Sequence, residues 1–365
     1  MNTLKKLVSA NWGTLLRGFY EYHILRHFRV LPPHQLVIDV TYRCNSRCVM
    51  CNIWNAERKP ELSLEQFDQI LADPLFHSIE RLMISGGEPT LRGDLPALLE
   101  LCFHRMPSLR TLSLITNGLW PERVLSVCED IAQRCAAHGV SLSISLSLDG
   151  LEETHDAMRN IPGAFVKATE TLEGLRRLQE RYSFYLSVGC VVCHMNLHQL
   201  EAFRAWCAER NLSLGFQLVG FHESYVDNLA QRSALDFDEN DRPVLYSLME
   251  GLASKKSLTN LMAYYWADML HMYRDGRARQ SPCPFLRDSF VLDAYGNIRI
   301  CETADNIGNC LFDGSCTELY YSPKTVAMRR DMARTVCRTC NSGCLVSVGL
   351  RKDMIKYLRF LLGSD

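Results

Sequence analysis

Between residues 36 and 220, short apolar runs alternate with stretches of helical spacing, and that alternation leaves few folds open. The runs are "LVIDVTY" (36–42), "RLMISGG" (81–87), "LRTLSLITN" (109–117), "VSLSISLSLDG" (140–150), "SFYLSVGCVV" (183–192) and "LSLGFQLV" (212–219). Between them lie helical patterns at 63–73, 94–106, 121–138, 163–181 and 197–210. Buried strands separated by helices imply a parallel sheet built of βαβ units. Several predicted strands end in polar or glycine residues: Ser85, Gly86 and Gly87; Thr116, Asn117 and Gly118; Asp149 and Gly150. In parallel βα architectures the carboxyl edge of the sheet is where sites are built. After residue 220 the rhythm breaks into a polar loop, two helical stretches (242–254 and 258–275) and "SFVLDAYGNIRICE", a hairpin pattern with Gly296 and Asn297 at its turn.

The cysteines sharpen this reading. The chain has 365 residues, 16 of them cysteine, and a net charge of -1, so no global field favours nucleic acid. No apolar window is long enough to cross a bilayer, and the first residues lack the apolar core and cleavage site of an export signal. A cytoplasmic chain keeps its thiols reduced, so some of these cysteines are expected to hold metal. Cys44, Cys48 and Cys51 form C-x3-C-x2-C directly after the first predicted strand. Structural zinc takes four protein ligands. A [4Fe–4S] cube held by three thiolates keeps one iron open for a small molecule. The plain alternative is three core cysteines, which the intervening Asn, Ser and Arg disfavour.

A C-x3-C-x2-C loop after the first strand of a βα barrel resembles the radical S-adenosylmethionine (AdoMet) superfamily. That resemblance implies a partial (β/α)6 TIM-type barrel, a cluster on Cys44, Cys48 and Cys51, and AdoMet chelated by the open iron. It also implies reductive cleavage of AdoMet to a 5′-deoxyadenosyl radical that abstracts a substrate hydrogen, with an external electron donor such as flavodoxin or ferredoxin. The cofactor supplies the difficult step while the protein positions and shields. "SGGEPT" (85–90) resembles the family's GGEP motif. By that likeness Gly86, Gly87, Glu88 and Pro89 approach the AdoMet amino group; the plain alternative is a helix-entry turn. Asn117 ends the third strand. Ser145, Ser147 and Asp149 alternate onto one face of the fourth, where the family approaches the ribose and carboxylate; a polar strand end facing water is the alternative. Asn196 and Gln217, ending strands five and six, are weaker candidates. Many relatives carry an aromatic before the third cysteine, where this chain has Met50, so Ile53 is an alternative support for adenine.

Cys283, Gly296 and Cys301 form C-x12-G-x4-C, and "CRTCNSGC" (337–344) follows. The first pattern resembles the opening of SPASM and twitch extensions, which carry auxiliary iron–sulfur clusters. The resemblance implies one auxiliary [4Fe–4S] cluster on Cys283, Cys301, Cys337 and Cys340, with Cys344 as a substitute for Cys340. A zinc knuckle on four of these thiols and a second auxiliary cluster are the alternatives. Cys310 and Cys316 are spare or structural. Cys102, Cys128, Cys135, Cys190, Cys193 and Cys207 fall in predicted helices and strands, where cysteine acts as a small apolar residue.

The expected organisation is an amphipathic segment (1–35), the barrel (36–220), a helical linker (221–278), the auxiliary domain (279–344) and an amphipathic helix (345–365). Both end segments mix apolar with basic residues. Packing on the barrel is the first reading and peripheral contact with an anionic membrane the second. A partial barrel admits a bulky substrate from the side. The expected function is modification of a small molecule, sugar or lipid-linked substrate by oxidation or rearrangement. Maturation of a ribosomal peptide is the alternative, disfavoured because 35 residues before the first strand are too few for a winged helix. A non-catalytic iron–sulfur or zinc protein is the alternative of another class.

Overall fold

The computed structural model describes residues 12–257 and 259–363, with side chains from residue 16 onward. The part of the predicted amphipathic segment before Trp12, and Leu258 in the second linker helix, lie outside the described residues. The chain divides into two compact units. One holds Pro33–Asp241 and Ser289–Thr325; the other holds Met1–Pro32, Arg242–Asp288 and Val326–Asp365.

The first unit contains a nine-stranded sheet. Its strands are β1 (Gln35–Asp39), β2 (Arg81–Ser85), β3 (Thr111–Thr116), β4 (Ser141–Ser147), β5 (Phe184–Val192), β6 (Ser213–Leu218), β7 (Ser289–Leu292), β8 (Asn297–Arg299) and β9 (Asn306–Asn309), in the order β6-β5-β4-β3-β2-β1-β7-β8-β9. The first six run parallel in sequential order, the winding of a TIM-type barrel, and the sheet does not close. β7 joins β1 in parallel and turns back through the antiparallel β8 and β9. The predicted hairpin therefore extends the parallel sheet. β1 is hydrogen-bonded on both sides, and all five of its residues are buried.

The strands follow the period-two logic of the sequence. In β4, Leu142, Ile144 and Leu146 are buried while Ser143, Ser145 and Ser147 are half-buried on the opposite face. The leucine face meets helices: a Cβ on Gly118 would collide with Leu146 at 2.5 Å and touch Ala168 of the helix Ala164–Arg181. The serine face lines the concave side. Each fully buried aliphatic side chain contributes on the order of 1.5–3 kcal/mol. Local signals set the helix ends. Ser63 and Gln66 form a reciprocal capping box at Leu64–Leu71. Pro121 opens Pro121–His138, and Gly139 at φ +66° closes it.

Among the described residues, four helices lie outside the patterns read from the sequence: Glu152–Arg159, Arg232–Leu235, Cys316–Tyr321 and Pro323–Arg334, the last carrying the chain from one unit to the other. Cys310 and Cys316, expected as spare or structural, form a disulfide. In the second unit, helices Arg242–Ala253 and Met262–Asp275 lie where the pattern puts them. The predicted single C-terminal helix is two, Val346–Lys352 and Met354–Leu361, parted at Asp353. Helix Trp12–His23 packs on Val346–Lys352 through Gly18, whose Cβ would lie 3.1 Å from Lys352. Tyr22 donates to Asp288 at 2.8 Å, and Lys352 pairs with the same carboxylate.

Candidate cluster and cofactor site

The carboxyl ends of β1 to β4 converge on the loop that holds Cys44, Cys48 and Cys51. The loop is fastened from three sides. Gly87 donates to the Thr41 carbonyl at 2.7 Å and Glu88 to the Arg43 carbonyl at 2.8 Å. Arg47 and Val49 donate to the carbonyls of Arg159 and Met158 at 3.3 and 3.0 Å. Asn52 donates to the Val226 carbonyl at 2.7 Å, and the Asn228 amide to the Met50 carbonyl at 2.9 Å.

Gly86 and Gly87 therefore serve the chain itself. A Cβ on Gly86, at φ +123°, would lie 2.3 Å from the Thr41 carbonyl oxygen, and one on Gly87 2.3 Å from that of Arg43. Only glycine lets the turn after β2 lie against the backbone leading to Cys44. Glu88 is buried, and its acceptors are engaged within the protein. Oε1 receives Thr90 Oγ1 (2.6 Å), Thr116 Oγ1 (2.9 Å) and the Thr90 N–H (3.2 Å), and Oε2 receives the Asn117 N–H (2.7 Å). Burial raises its pKa against the pull of these donors. Glu88 thus ties the turn after β2 to the end of β3. Pro89 opens the short 3-10 turn Pro89–Leu91.

Polar groups lie against the sulfurs of Cys44 and Cys48. The Ser46 N–H lies 3.4 Å from Cys44 Sγ, and the Ser46 hydroxyl 3.0 Å from Cys48 Sγ. Asn117 Nδ2 lies 3.8 Å from Cys44 Sγ and donates to Asn45 Oδ1 at 2.8 Å. Beside that asparagine opens a cavity of about 320 Å³ lined by Asn45, Leu119, Trp120, Ile161 and Lys167. The Arg159 guanidinium lies 3.4 Å from Cys48 Sγ and pairs with Asp149 at 2.7 Å. Burial pushes the Cys44 and Cys51 thiols up to about 12, and the neighbouring thiols add to the rise. A donor set of this kind, clustered thiols whose thiolate forms burial disfavours, gains most from a cationic metal centre that stabilises the thiolates. The residues fit a three-thiolate cluster.

Asp149 sits at the end of β4, fully buried. It accepts from the Val191 N–H at 2.9 Å and is ion-paired with Arg159 at 2.7 Å, and burial still raises its pKa. Its own N–H donates to His155 Nδ1 at 3.0 Å, and burial drives the His155 pKa down to about 3. Ser145 and Ser147 lie half-buried on the concave face. Ile53 is buried in the turn Ile53–Asn55. Met50 is packed with Met158, Cys193, Val219 and Leu235, as core. Asn196 is buried and donates to the carbonyls of Asp149 (2.7 Å) and Val191 (2.8 Å), whereas Gln217 is exposed on β6. Cys102, Cys128, Cys135, Cys190, Cys193 and Cys207 are all buried, as an apolar role requires. Sequence reasoning misses Arg159: it ends a helix that the pattern does not reveal, and nothing near it marks its partner at Cys48.

Of the auxiliary candidates, Cys283, Cys337, Cys340 and Cys344 belong to one unit and Cys301 to the other. Within their unit, Cys283 and Cys340 flank Arg279, whose Nη1 donates to the Cys340 carbonyl at 3.0 Å. Burial raises the Cys283 pKa, with Cys340 adding to the rise.

Comparison with known proteins agrees with this geometry. Residues 38–207 match the profile of the Radical SAM superfamily. The Fe-coproporphyrin III synthase of Methanosarcina barkeri is 34% identical over 160 residues, 43% of this chain and 37% of that protein. The pre-heme d1 synthase of Dinoroseobacter shibae is 34% identical over 186 residues, 50% of this chain and 43% of that one. The mycofactocin maturase MftC of Mycolicibacterium smegmatis is 29% identical over 184 residues, covering 50% and 43%. The matched part of the chain thus spans about two-fifths of the length of these relatives. Among solved structures, SuiB of Streptococcus suis bound to S-adenosylmethionine superposes with a TM-score of 0.58 at 16% identity, covering 95% of this chain and 83% of that one. The enzyme anSMEcpe with AdoMet and a peptide gives 0.59 at 18%, covering 91% and 96%. At such identities the likeness is one of fold.

Proposed function

Through residues 38–207 the chain belongs to the radical SAM superfamily, and from that premise we propose that it cleaves AdoMet reductively and takes a hydrogen atom from a small-molecule, sugar or lipid-linked substrate. Enzymes of this superfamily use AdoMet and a [4Fe–4S] cluster, which together supply a carbon radical at the 5′ position of deoxyadenosine. The observation that carries the reading is the set of three half-buried thiols after β1, with the polar groups of Ser46, Asn117 and Arg159 against the sulfurs of Cys44 and Cys48.

The chain's own residues divide the work. Cys44, Cys48 and Cys51 hold the cluster. Arg159 sets positive charge beside Cys48 and is itself oriented by Asp149. Gly86, Gly87 and Glu88 brace the loop and border the surface that receives the AdoMet amino group. Asn117, Ser145, Ser147, Asp149, Pro89 and Ile53 belong to the surface that receives the nucleoside. An auxiliary cluster on Cys283, Cys301, Cys337 and Cys340, or Cys344, would take up an electron from the substrate. An external reductant such as flavodoxin or ferredoxin supplies the first electron.

Peripheral membrane contact draws support from the second unit. Among the described residues no helix is long and apolar enough to cross a membrane. Leu16, Phe19, Tyr20, Ile24 and Phe28 are nevertheless exposed, with Arg26 and Arg29 in the same segment. Such a surface suits the interface of an anionic bilayer.

The direct test is anaerobic reconstitution with iron and sulfide, reduction by dithionite, and chromatography for 5′-deoxyadenosine. Product from the wild type and none from a Cys44, Cys48, Cys51 triple alanine variant is the expected result. Wild-type protein with a full iron complement and no product overturns the proposal.

A further inference from the structure

The inner face of the sheet carries a second polar constellation, at the end of β1. Val37 is registered with Val291, and Val291 with Arg299, so these three share a face. Asp39, two residues beyond Val37, lies on it too and is registered with Ser85. Asp39 Oδ2 accepts from Arg299 Nη2 at 2.8 Å, and Glu302 Oε2 lies 3.4 Å from the same nitrogen without completing a hydrogen bond.

Two features set this cluster apart from a structural ion pair. First, four buried polar atoms have no hydrogen-bond partner among the described residues: Asp39 Oδ1, Glu302 Oε2, Arg299 Nε and the Nδ1 of His222, an imidazole close enough to feel the Arg299 charge. Asp39 is 0% exposed and Arg299 3%. Buried polar atoms are nearly always satisfied because an orphan forfeits its hydration, so a group of them asks for an absent partner. Second, carboxyl groups outnumber cations: Asp39 and Glu302 face one guanidinium, and burial disfavours the charge on both. Nearby Asp293 is accounted for, since its oxygens receive the N–H groups of Tyr295 and Asn297 and the Asn297 amide.

The surroundings describe the missing partner further. The rings of Tyr42 and Tyr225 stand 6.4 Å apart, and the Arg299 guanidinium lies 5.7 Å from the Tyr225 ring. Tyr225 donates to the Gly86 carbonyl at 2.7 Å. Its loop is also tied to Met50 and Asn52, on either side of Cys51. The constellation is thus roofed by a segment fastened to the cysteine loop.

Resting on the function proposed above, we propose that Asp39, Glu302 and His222, framed by Tyr42 and Tyr225, form the subsite that receives a hydroxyl- or ammonium-bearing group of the substrate and disfavours an anionic one. Orphan acceptors need donors, and two carboxyl groups sharing one cation prefer a neutral or cationic guest to an anionic one. Tyrosine faces suit both the C–H face of a polyol and an ammonium.

The test uses three matched probes, glucose, glucosamine and glucuronate, which present a hydroxyl, an ammonium and a carboxylate on one ring. Binding to the reconstituted full chain is read by saturation-transfer NMR. Glucosamine or glucose is expected to bind about tenfold or more tightly than glucuronate, the discrimination of one charged hydrogen bond. Asp39→Asn is expected to erase that gap. Should Asp39→Asn fail to fold, Glu302→Gln carries the same expectation. No binding of any probe, equal binding of glucuronate, or a gap that survives both substitutions overturns the inference. Formation of 5′-deoxyadenosine by the same wild-type preparation separates the two proposals. AdoMet cleavage without donor preference refutes only the subsite, whereas its absence refutes the function.

Discussion

Replacing Gly86 by alanine tests how the turn after β2 supports the cysteine loop. At φ +123° a side chain costs about 1–2 kcal/mol in backbone strain alone. The new Cβ would stand 2.3 Å from the Thr41 carbonyl oxygen, a backbone atom that cannot rotate away. The two segments must separate by about 1 Å to restore ordinary contact. That separation breaks the 2.7 Å bond from Gly87 N–H to the same carbonyl, a loss of about 1 kcal/mol. Together these amount to about 2–3 kcal/mol. For a cooperative unit of this size, about 2–4 °C of melting temperature goes with each kcal/mol, so Gly86→Ala is expected to melt about 4–12 °C below wild type. Gly93→Ala is the control, because a Cβ there would meet nothing within 4 Å and the backbone lies outside the left-handed region. Calorimetry of both variants, with iron assayed after reconstitution, gives the readout. The argument fails if Gly86→Ala melts within a degree or two of Gly93→Ala and takes up iron as wild type does.

Other outcomes follow from the same geometry. Arg159→Met leaves the Asp149 carboxylate buried without its cation, which costs about 3–5 kcal/mol, and also removes positive charge beside Cys48. Urea titration is expected to report the first effect, and an EPR-monitored redox titration a more negative cluster potential. His155 is fully buried and its folded pKa is lowered to about 3, so below its ordinary value of about 6.5 the unfolded chain binds a proton that the folded chain refuses. Stability therefore falls as pH drops through that window, by up to about 1.4 kcal/mol per pH unit, and His155→Gln is expected to flatten this limb of a urea-midpoint profile. Iron and zinc analysis of reconstituted protein is expected to give about eight irons per chain, whereas four irons with one zinc would assign the C-terminal thiols to a zinc knuckle. Anionic liposomes are expected to float the chain, and Phe19→Ser with Phe28→Ser to abolish flotation; equal behaviour of both proteins removes the membrane contact.

The six parallel strands are legible because buried strands advertise themselves twice, by composition and by the glycine and polar residues at their ends. Helix Glu152–Arg159 is not. It carries no side-chain cap and few apolar residues, and its reason to exist is tertiary: it delivers Arg159 to Cys48 and two carbonyls to the cysteine loop. Glu88 shows the same limit from the other side. Its motif is plain, but the partners that occupy its oxygens include Thr116 and Asn117 on another strand. The division into units is hidden because the chain leaves the second unit at Pro32 and returns to it twice. Composition along the sequence cannot report a boundary that contacts alone define.

β1 is clasped by a neighbour on each edge, and the cysteines follow directly from its end. Amide protons of Leu36 to Asp39 should therefore be among the last to exchange with deuterium, with or without iron. Oxygen that strips the metal would leave its cradle standing, and repair becomes a matter of refilling a preserved vessel rather than folding a new one.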